Sequence, residues 1–213
     1  MIIMKEYLQA TSFIDSEDVS VIEFAHQFTS SDKTDREKVV DLYYAVRDEI
    51  LYSPYHLVFN PKMISASLTL ERKTGYCVEK SLLLAAVGRV HNIPSRLGFS
   101  IVRNHISSEK FRELLRSDKF VFHGYNEFLI DGKWVKCTPA FNKSLCEKFN
   151  VPALDFDGEA DSIFQQFTGD GQQYMEYLHE YGQFADFPYE LFVSELRVHY
   201  PHFFENKEPL SVQ

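Results

Sequence analysis

The length, composition and charge of the chain limit what it can be. Its 213 residues fit a single domain, because one hydrophobic core usually stops growing only at about 250–300 residues. Hydrophobic residues make up 45% and charged residues 25%, which is typical of a folded globular protein. A net charge of −9 opposes binding to nucleic acid phosphates or to anionic membranes. We therefore expect neither as a partner.

No segment resembles a membrane span or a secretion signal. The longest uninterrupted aliphatic stretch, residues 82–87, is far shorter than the ~18–20 residues that cross a bilayer. The opening residues 1–4 are followed at once by Lys5 and Glu6, too early for a signal-peptide core. The odd cysteine count and the lack of Cys-x-x-Cys spacing encode neither a disulfide framework nor a zinc knuckle. These features predict a cytoplasmic protein with free thiols at Cys77, Cys137 and Cys146.

The first third of the chain predicts helices. Apolar residues recur at helical spacing after Asp18, and Thr34 with Glu37 forms a capping box before a second helical run. Residues 53–75 carry two prolines and no sustained period, so we expect a connecting region there. Loops of this length often serve a site.

The middle of the chain predicts a strong helix and then strands. The helix covers about residues 78–90 and ends near Asn92 and Pro94. Asp131-Gly132 is the dipeptide of a tight hairpin turn. Alternation predicts a strand over 97–101, a short helix over 108–117 interrupts the strands, and the hairpin strands are 121–130 and 133–138.

The last third predicts further helices, at 161–167, 174–181 and 188–200. We see no internal repeat and no linker, so residues 1–213 are expected to form one domain. Its core lies at about 35–142, with helical extensions at both ends. Helices that precede antiparallel strands indicate an α+β fold.

Cys77 is the candidate nucleophile. It follows Gly75 and stands at the first turn of the strongest helix, where free backbone N–H groups and the helix dipole favour a thiolate. Lys80, one turn later, adds a positive charge. The backbone N–H of Cys77 is a candidate oxyanion donor, and we expect a second donor from residues 53–74. The alternative is a buried cysteine that only packs.

His123 is the candidate general acid and base. It lies on the first hairpin strand, where a rigid sheet can hold an imidazole against a helix end. A histidine placed in this way activates a cysteine nucleophile by taking its proton. The alternative is a structural, hydrogen-bonded histidine.

Together these segments resemble the transglutaminase-like superfamily. The resemblance rests on residues 72–77 (Arg-Lys-Thr-Gly-Tyr-Cys), 85–89, 92–97 (Asn-Ile-Pro-Ser-Arg-Leu), 123–127 (His-Gly-Tyr-Asn-Glu) and 131–135 (Asp-Gly-Lys-Trp-Val), within about residues 68–142. It implies a papain-like core in which Cys77 and His123 perform thiol acyl transfer on a peptide or carboxamide bond. The implied substrate is a peptide, a protein or a small amide, and no cofactor or metal is required.

The sequence departs from the family pattern at one position. The family places an Asp four residues beyond the Trp, and here that residue is Thr138. The missing acid normally orients the imidazole and stabilises its charged form. Two interpretations therefore stay open beside a purely structural one: an active cysteine hydrolase or acyl transferase, and an inert module that binds a peptide or partner in the same cleft.

Other patterns point to packing or turns. Asp155, Asp157, Glu159 and Asp161 alternate like a calcium loop, but Ala160 and Gln166 replace the required Gly and Glu, so we expect a solvated turn that caps the next helix. Pro201 separates His199 from His202, which are expected to be surface residues. No Gly-rich phosphate loop occurs, so no nucleotide is expected. The tyrosines at 43, 44, 52 and 55 fit core packing better than the floor of a cleft.

Overall fold

The computed structural model describes residues 4–55, 57–105, 108–163, 170–171 and 174–205. Within them the α-helices are α1 (Val19–Phe28), α2 (Asp35–Glu49), α3 (Ala66–Arg72), α4 (Cys77–Val90), α5 (Glu109–Leu115), α6 (Lys143–Lys148) and α7 (Tyr189–His199). The strands are β1 (Leu51–Tyr52), β2 (Thr74–Gly75), β3 (Ser95–Asn104), β4 (Lys119–Ile130), β5 (Lys133–Cys137) and β6 (Met175–Phe184).

The main sheet is antiparallel, with strand order β5-β4-β3-β6, and β1 and β2 form a short parallel pair beside it. In the β4–β5 hairpin, Ile130 pairs with Lys133 across a two-residue turn. Both turn residues, Asp131 and Gly132, have positive φ, which is the geometry of a type I′ turn. The predicted hairpin and the α+β fold class are confirmed.

Helix α4 is the centre of the core. Every residue from 77 to 89 is buried, because α1, α2 and α3 pack on one side of the helix and β3 and β4 on the other. Gly88 brings α4 close to β4: a Cβ atom there would lie 2.4 Å from a ring carbon of Phe128. The helix therefore fixes where its own first turn meets the sheet.

The helices predicted from capping signals are confirmed. Asp18 caps α1 by accepting the Ser20 N–H, and Thr34 and Glu37 form the reciprocal capping box of α2. At the other end of the described chain, α7 occupies most of the predicted 188–200 segment. None of the described helices has the length and apolar character needed to cross a membrane.

Some predicted elements are wrong. Residues 174–181, predicted as a helix, lie mostly in strand β6, which pairs with β3. The tyrosines of this segment recur at helical spacing, but aromatic residues also suit strands, and pairing with a long neighbour decides between the two. The connecting region at 53–75 contains α3, which Ser65 caps, and α6 was not predicted. Residues 161–163 are not helical, and 164–167 lie outside the described residues.

Candidate active site at the start of helix α4

Cys77 is the first residue of α4 and is buried. Strand β2 leads into it, and the pairing of Gly75 with Tyr52 of β1 holds that entrance in place. The backbone N–H groups of Gly124, Val78 and Cys77 favour the thiolate and so act to lower the pKa of the thiol. A helix start therefore supplies anion-stabilising donors at this sulfur, and a strand supplies another.

Burial nevertheless keeps the thiol neutral. It raises the pKa of Cys77 to about 11, against the opposing effect of the backbone hydrogen bonds from Gly124 and Val78. The expectation that Lys80 supports a thiolate is wrong. Its ammonium donates to the carbonyl oxygens of Arg47 and Ile50 at 2.9 and 2.6 Å, at the end of α2, and burial lowers its pKa to about 7.

His123 lies on β4, next to Gly124, and is also buried. Burial lowers the pKa of its imidazole to about 4, so the ring is neutral near pH 7. A Cβ atom on Gly124 would lie 3.2 Å from the Cys77 carbonyl oxygen and 3.1 Å from Ser81 Oγ. A side chain at this position would require its neighbours on α4 to move by a few tenths of an ångström, so glycine favours this close approach of β4 to α4. The fold thus brings the segments that carry Cys77 and His123 together.

The backbone of β4 is irregular just before His123. The β3–β4 pairing shifts register between Ser100 and Val102, and Phe122 has φ 64° although it is a bulky, buried residue. A left-handed conformation at such a residue is strained, and bulges of this kind re-aim neighbouring side chains. No sequence signal marks Phe122 as unusual.

Tyr200 supports the same segment from the other end of the chain. Its hydroxyl accepts the Val121 N–H at 3.0 Å and donates to the Lys119 carbonyl at 2.6 Å. These two groups lie where β4 loses regular pairing, so the tyrosine satisfies backbone groups that the sheet does not. Sequence reasoning missed Tyr200, because nothing local links residue 200 to residue 121.

Thr138 follows the last residue of β5 and is buried. Its N–H donates to the Ser162 carbonyl at 2.9 Å, and its own carbonyl accepts the Tyr43 hydroxyl at 3.2 Å. Its hydroxyl has no hydrogen-bond partner within the part of the chain that the structure describes. The position is therefore fixed by backbone contacts, and its side chain brings no charge.

An apolar cavity of about 220 Å³ lies near this site. Tyr52, whose backbone pairs with the entrance of α4, forms part of its wall. Asn104, Ser108 and Phe111 form another part, and they belong to the segment at 104–119 that links β3 to β4 and carries α5, which we call the insertion. The full lining is Tyr52, Pro54, Tyr55, Asn104, Ser108, Phe111, Phe120, Phe141, Leu145, Cys146, Lys148, Phe149, Val151 and Tyr174. The core interpretation of the tyrosines therefore holds for the fully buried Tyr43 but not for Tyr55, which lines the cavity and is 40% exposed.

The acidic segment at 155–161 forms a turn. The Asp157 carboxylate accepts the N–H groups of Glu159 and Ala160, and Asp161 accepts the Lys136 N–H. Within the described ranges, no group of three or more His, Cys, Asp or Glu residues is placed to hold a metal ion.

His199 and His202 are only partly exposed. The ring Nε2 of His202 lies 2.9 Å from the Leu114 carbonyl oxygen at the end of α5. The ring of His199 lies 3.7 Å from the Glu195 carboxylate on the same helix. Both histidines are thus partly exposed surface residues, and His202 ties α5 to the C-terminal part of the chain.

A buried helix that begins at a cysteine and packs on an antiparallel sheet is the arrangement of papain-like α+β proteins. The family model described as the transglutaminase-like superfamily matches residues 22–139, just over half of the chain. The chain therefore belongs to the transglutaminase-like superfamily. No curated protein sequence matches it.

Two solved structures are similar to this chain. One is described as a "putative cysteine protease" from Cytophaga hutchinsonii, with 14% identity, a TM-score of 0.49, and coverage of 85% of this chain and 54% of that one. The other is described as a "putative protease" from Parabacteroides distasonis, with 16% identity, a TM-score of 0.40, and coverage of 55% of this chain and 22% of that one. The chain thus spans about half the length of the first structure and about a fifth of the second.

Proposed function

We propose that the protein is a thiol-dependent hydrolase or acyl transferase that acts on a peptide or carboxamide bond, with Cys77 as nucleophile and His123 as general acid and base. The observation that supports this most is the close approach of Gly124 to the first turn of α4, where a Cβ atom would lie 3.2 Å from the Cys77 carbonyl oxygen, because Gly124 is the neighbour of His123. Membership of the superfamily supports the same class of chemistry.

The reaction proceeds by acyl transfer through a thioester. The Cys77 sulfur attacks the carbonyl carbon as His123 takes the thiol proton, and the carbonyl oxygen gains the negative charge. The backbone N–H of Cys77, at the helix start, stabilises that oxyanion. His123 then gives its proton to the leaving amine, the C–N bond breaks, and water or a second amine takes the acyl group from sulfur.

A binding module that does not turn over substrate is the second candidate. Thr138 supplies no carboxylate to stabilise an imidazolium, and burial of both reacting groups opposes the thiolate–imidazolium pair. Under this alternative the same cleft holds a peptide, and Cys77 does not accept an acyl group.

Acyl transfer from an activated ester tests the proposal. Incubation with p-nitrophenyl acetate should release a burst of p-nitrophenol and leave one acetyl group, removable by hydroxylamine, on the peptide that contains Cys77. His123→Asn should reduce the burst rate about a hundredfold or more, which is the lower end of the range for loss of a general base.

Cys137→Ser is the matched control, because it removes another buried thiol that lies outside the cavity and should leave the burst unchanged. Acetylation that is confined to Cys146 or Cys137, or that is absent in a folded protein, would favour the binding module.

A further inference from the structure

The aromatic cavity lies beside the proposed nucleophile. Tyr52 in its wall pairs with Gly75 of β2, and β2 ends two residues before Cys77. A negative charge on the Cys77 sulfur would raise the pKa of the buried Tyr52 hydroxyl further, which places the two side chains within electrostatic range. On the strand side, Phe120 lines the cavity three residues before His123. Both walls thus include residues of strands that adjoin the site, while Cys77 and His123 themselves lie outside the lining.

We infer that this cavity, which we name the aromatic pocket, receives one uncharged aromatic side chain of the substrate, next to the bond that Cys77 attacks. The inference rests on the proposed function and adds a substrate class to it: peptides or amides that carry an aromatic residue beside the reacting carbonyl.

The size of the pocket fits one side chain. Its volume of about 220 Å³ is below the ~300–1,000 Å³ typical of sites that enclose a whole drug-sized ligand. Aromatic rings line much of it, including Phe111, Phe141 and Tyr174. Flat rings around a small cavity favour another ring, because aromatic pairs gain energy in edge-to-face and offset arrangements beyond the area that they bury.

The charge of the lining excludes basic side chains. Lys148 is the charged residue among those that line the described pocket, so a lysine or arginine side chain would meet a like charge there. The ionisable groups deeper in the wall are neutral near pH 7, because burial raises the pKa of Cys146 to about 11 and that of Tyr174 well above its ordinary value. An uncharged ring therefore fits both the rim and the interior.

Binding of small amides to the Cys77→Ser variant tests the pocket without any chemistry. N-acetyl-phenylalaninamide should bind at least about tenfold more tightly than N-acetyl-alaninamide, and N-acetyl-lysinamide should bind no better than the alanine compound. Titrations followed by nuclear magnetic resonance chemical shifts measure all three affinities in the weak range expected for fragments.

Two rim variants localise the effect. Tyr55 and Phe149 are each 40% exposed, so alanine at either position should leave the fold intact and reduce the preference for phenylalanine over alanine at least about threefold. Leu178→Ala is the matched control, because Leu178 is 38% exposed and lies outside the pocket.

The outcomes separate the pocket from the catalytic proposal. Equal affinity for the phenylalanine and alanine compounds would overturn the aromatic pocket, even if Cys77 is acylated by the ester. A preference for phenylalanine that Tyr55→Ala and Phe149→Ala reduce would support it. If that preference is present and Cys77 accepts no acetyl group, the pocket stands as a binding site and the catalytic function fails.

Discussion

Cys77 and His123 are both held in their neutral forms by burial, with the thiol pKa raised to about 11 and the imidazole pKa lowered to about 4. The helix start does favour a thiolate, as the sequence indicates, but the loss of hydration at the buried sulfur outweighs it. The thiolate–imidazolium pair that the proposed reaction requires must therefore form when substrate enters or when the protein opens.

Cys77 should still be the most reactive of the cysteines. Three backbone N–H groups stabilise its thiolate, whereas Cys137 is fully buried and its pKa lies well above the ordinary value. Brief treatment with iodoacetamide at pH 7, followed by peptide mass spectrometry, should find the label on Cys77 first, with a rate that rises towards alkaline pH. Preferential labelling of Cys137 or Cys146 would contradict this, and Cys77→Ser should abolish the fast phase.

Thr138→Asp tests the missing acid. If residue 138 faces His123, a carboxylate there should favour the thiolate–imidazolium pair and shift the pH profile of Cys77 alkylation downward by a measurable fraction of a unit or more. Each unit corresponds to about 1.4 kcal/mol. Alkylation rates over pH 5–10, with circular dichroism to verify the fold, measure the shift.

Thr138→Asn is the control for that substitution, because it has nearly the same shape as Asp and carries no charge. A shift that both variants share would reflect altered packing. No shift in the Asp variant would mean that the group that orients His123 lies elsewhere or is absent.

At the scale of elements, the sequence predicts best what local chemistry determines. The capping box at Thr34 and the Asp131-Gly132 turn depend on residues close in sequence, and both form as expected. Strand β6 depends on β3, about 80 residues away, so its helical spacing of tyrosines was misleading. The strained φ of Phe122 likewise arises from the packing of distant segments around β4.

The candidate site likewise combines features that the local sequence predicts with features that depend on distant segments. Family motifs identify Cys77, His123 and Thr138 as candidates, but the close approach of Gly124 to the first turn of α4 is seen only in the folded arrangement. The sequence likewise does not reveal that burial outweighs the helix start at Cys77. Desolvation depends on every segment that covers the thiol, including ones remote in sequence.

The insertion at 104–119 should open more easily than the core. Its helix α5 is anchored by Phe111 and Leu115, which are buried, and by the contact of Leu114 with His202. Because few contacts hold α5, its local opening should cost little free energy, as expected of a lid over the cavity. Hydrogen exchange of the described α5 amides should be at least about tenfold faster than that of the α4 amides at 81–90. Equal protection of the two helices would rule out a mobile lid.

For the whole molecule, His123 should make the fold sensitive to acid. Its folded pKa of about 4 lies below the ordinary ~6.5, so its contribution to stability is complete above pH 6.5 and is lost as the pH falls towards 4. The shift corresponds to about 2–3 kcal/mol between pH 7 and pH 4. Urea unfolding of the wild type and of His123→Gln at pH 7 and pH 4 measures this contribution. Between these pH values the free energy of unfolding of the wild type should fall by about 2–3 kcal/mol more than that of the variant.

Comparing the wild type with His123→Gln removes the contribution of Glu79, whose effect on stability has the opposite pH dependence. Burial raises the pKa of Glu79 to about 7, so this carboxyl group lowers stability as the pH rises from 4.5 to 7 and partly offsets His123. Glu79 is present in both proteins and cancels in the difference. Equal pH dependence of the two would mean that His123 is not desolvated in the folded protein.

The contact of Tyr200 with β4 determines when, during translation, the backbone beside His123 can reach its final structure. The strand that carries His123 obtains the hydrogen-bond partner of the Val121 N–H from Tyr200, a residue 79 positions further along the chain. At about 5–20 residues per second, several seconds of translation separate the two. During that interval the nascent chain contains Cys77 and His123 but not Tyr200, which hydrogen-bonds the backbone just before His123. The thiol site therefore takes its final form only when almost all of this sequence has been translated.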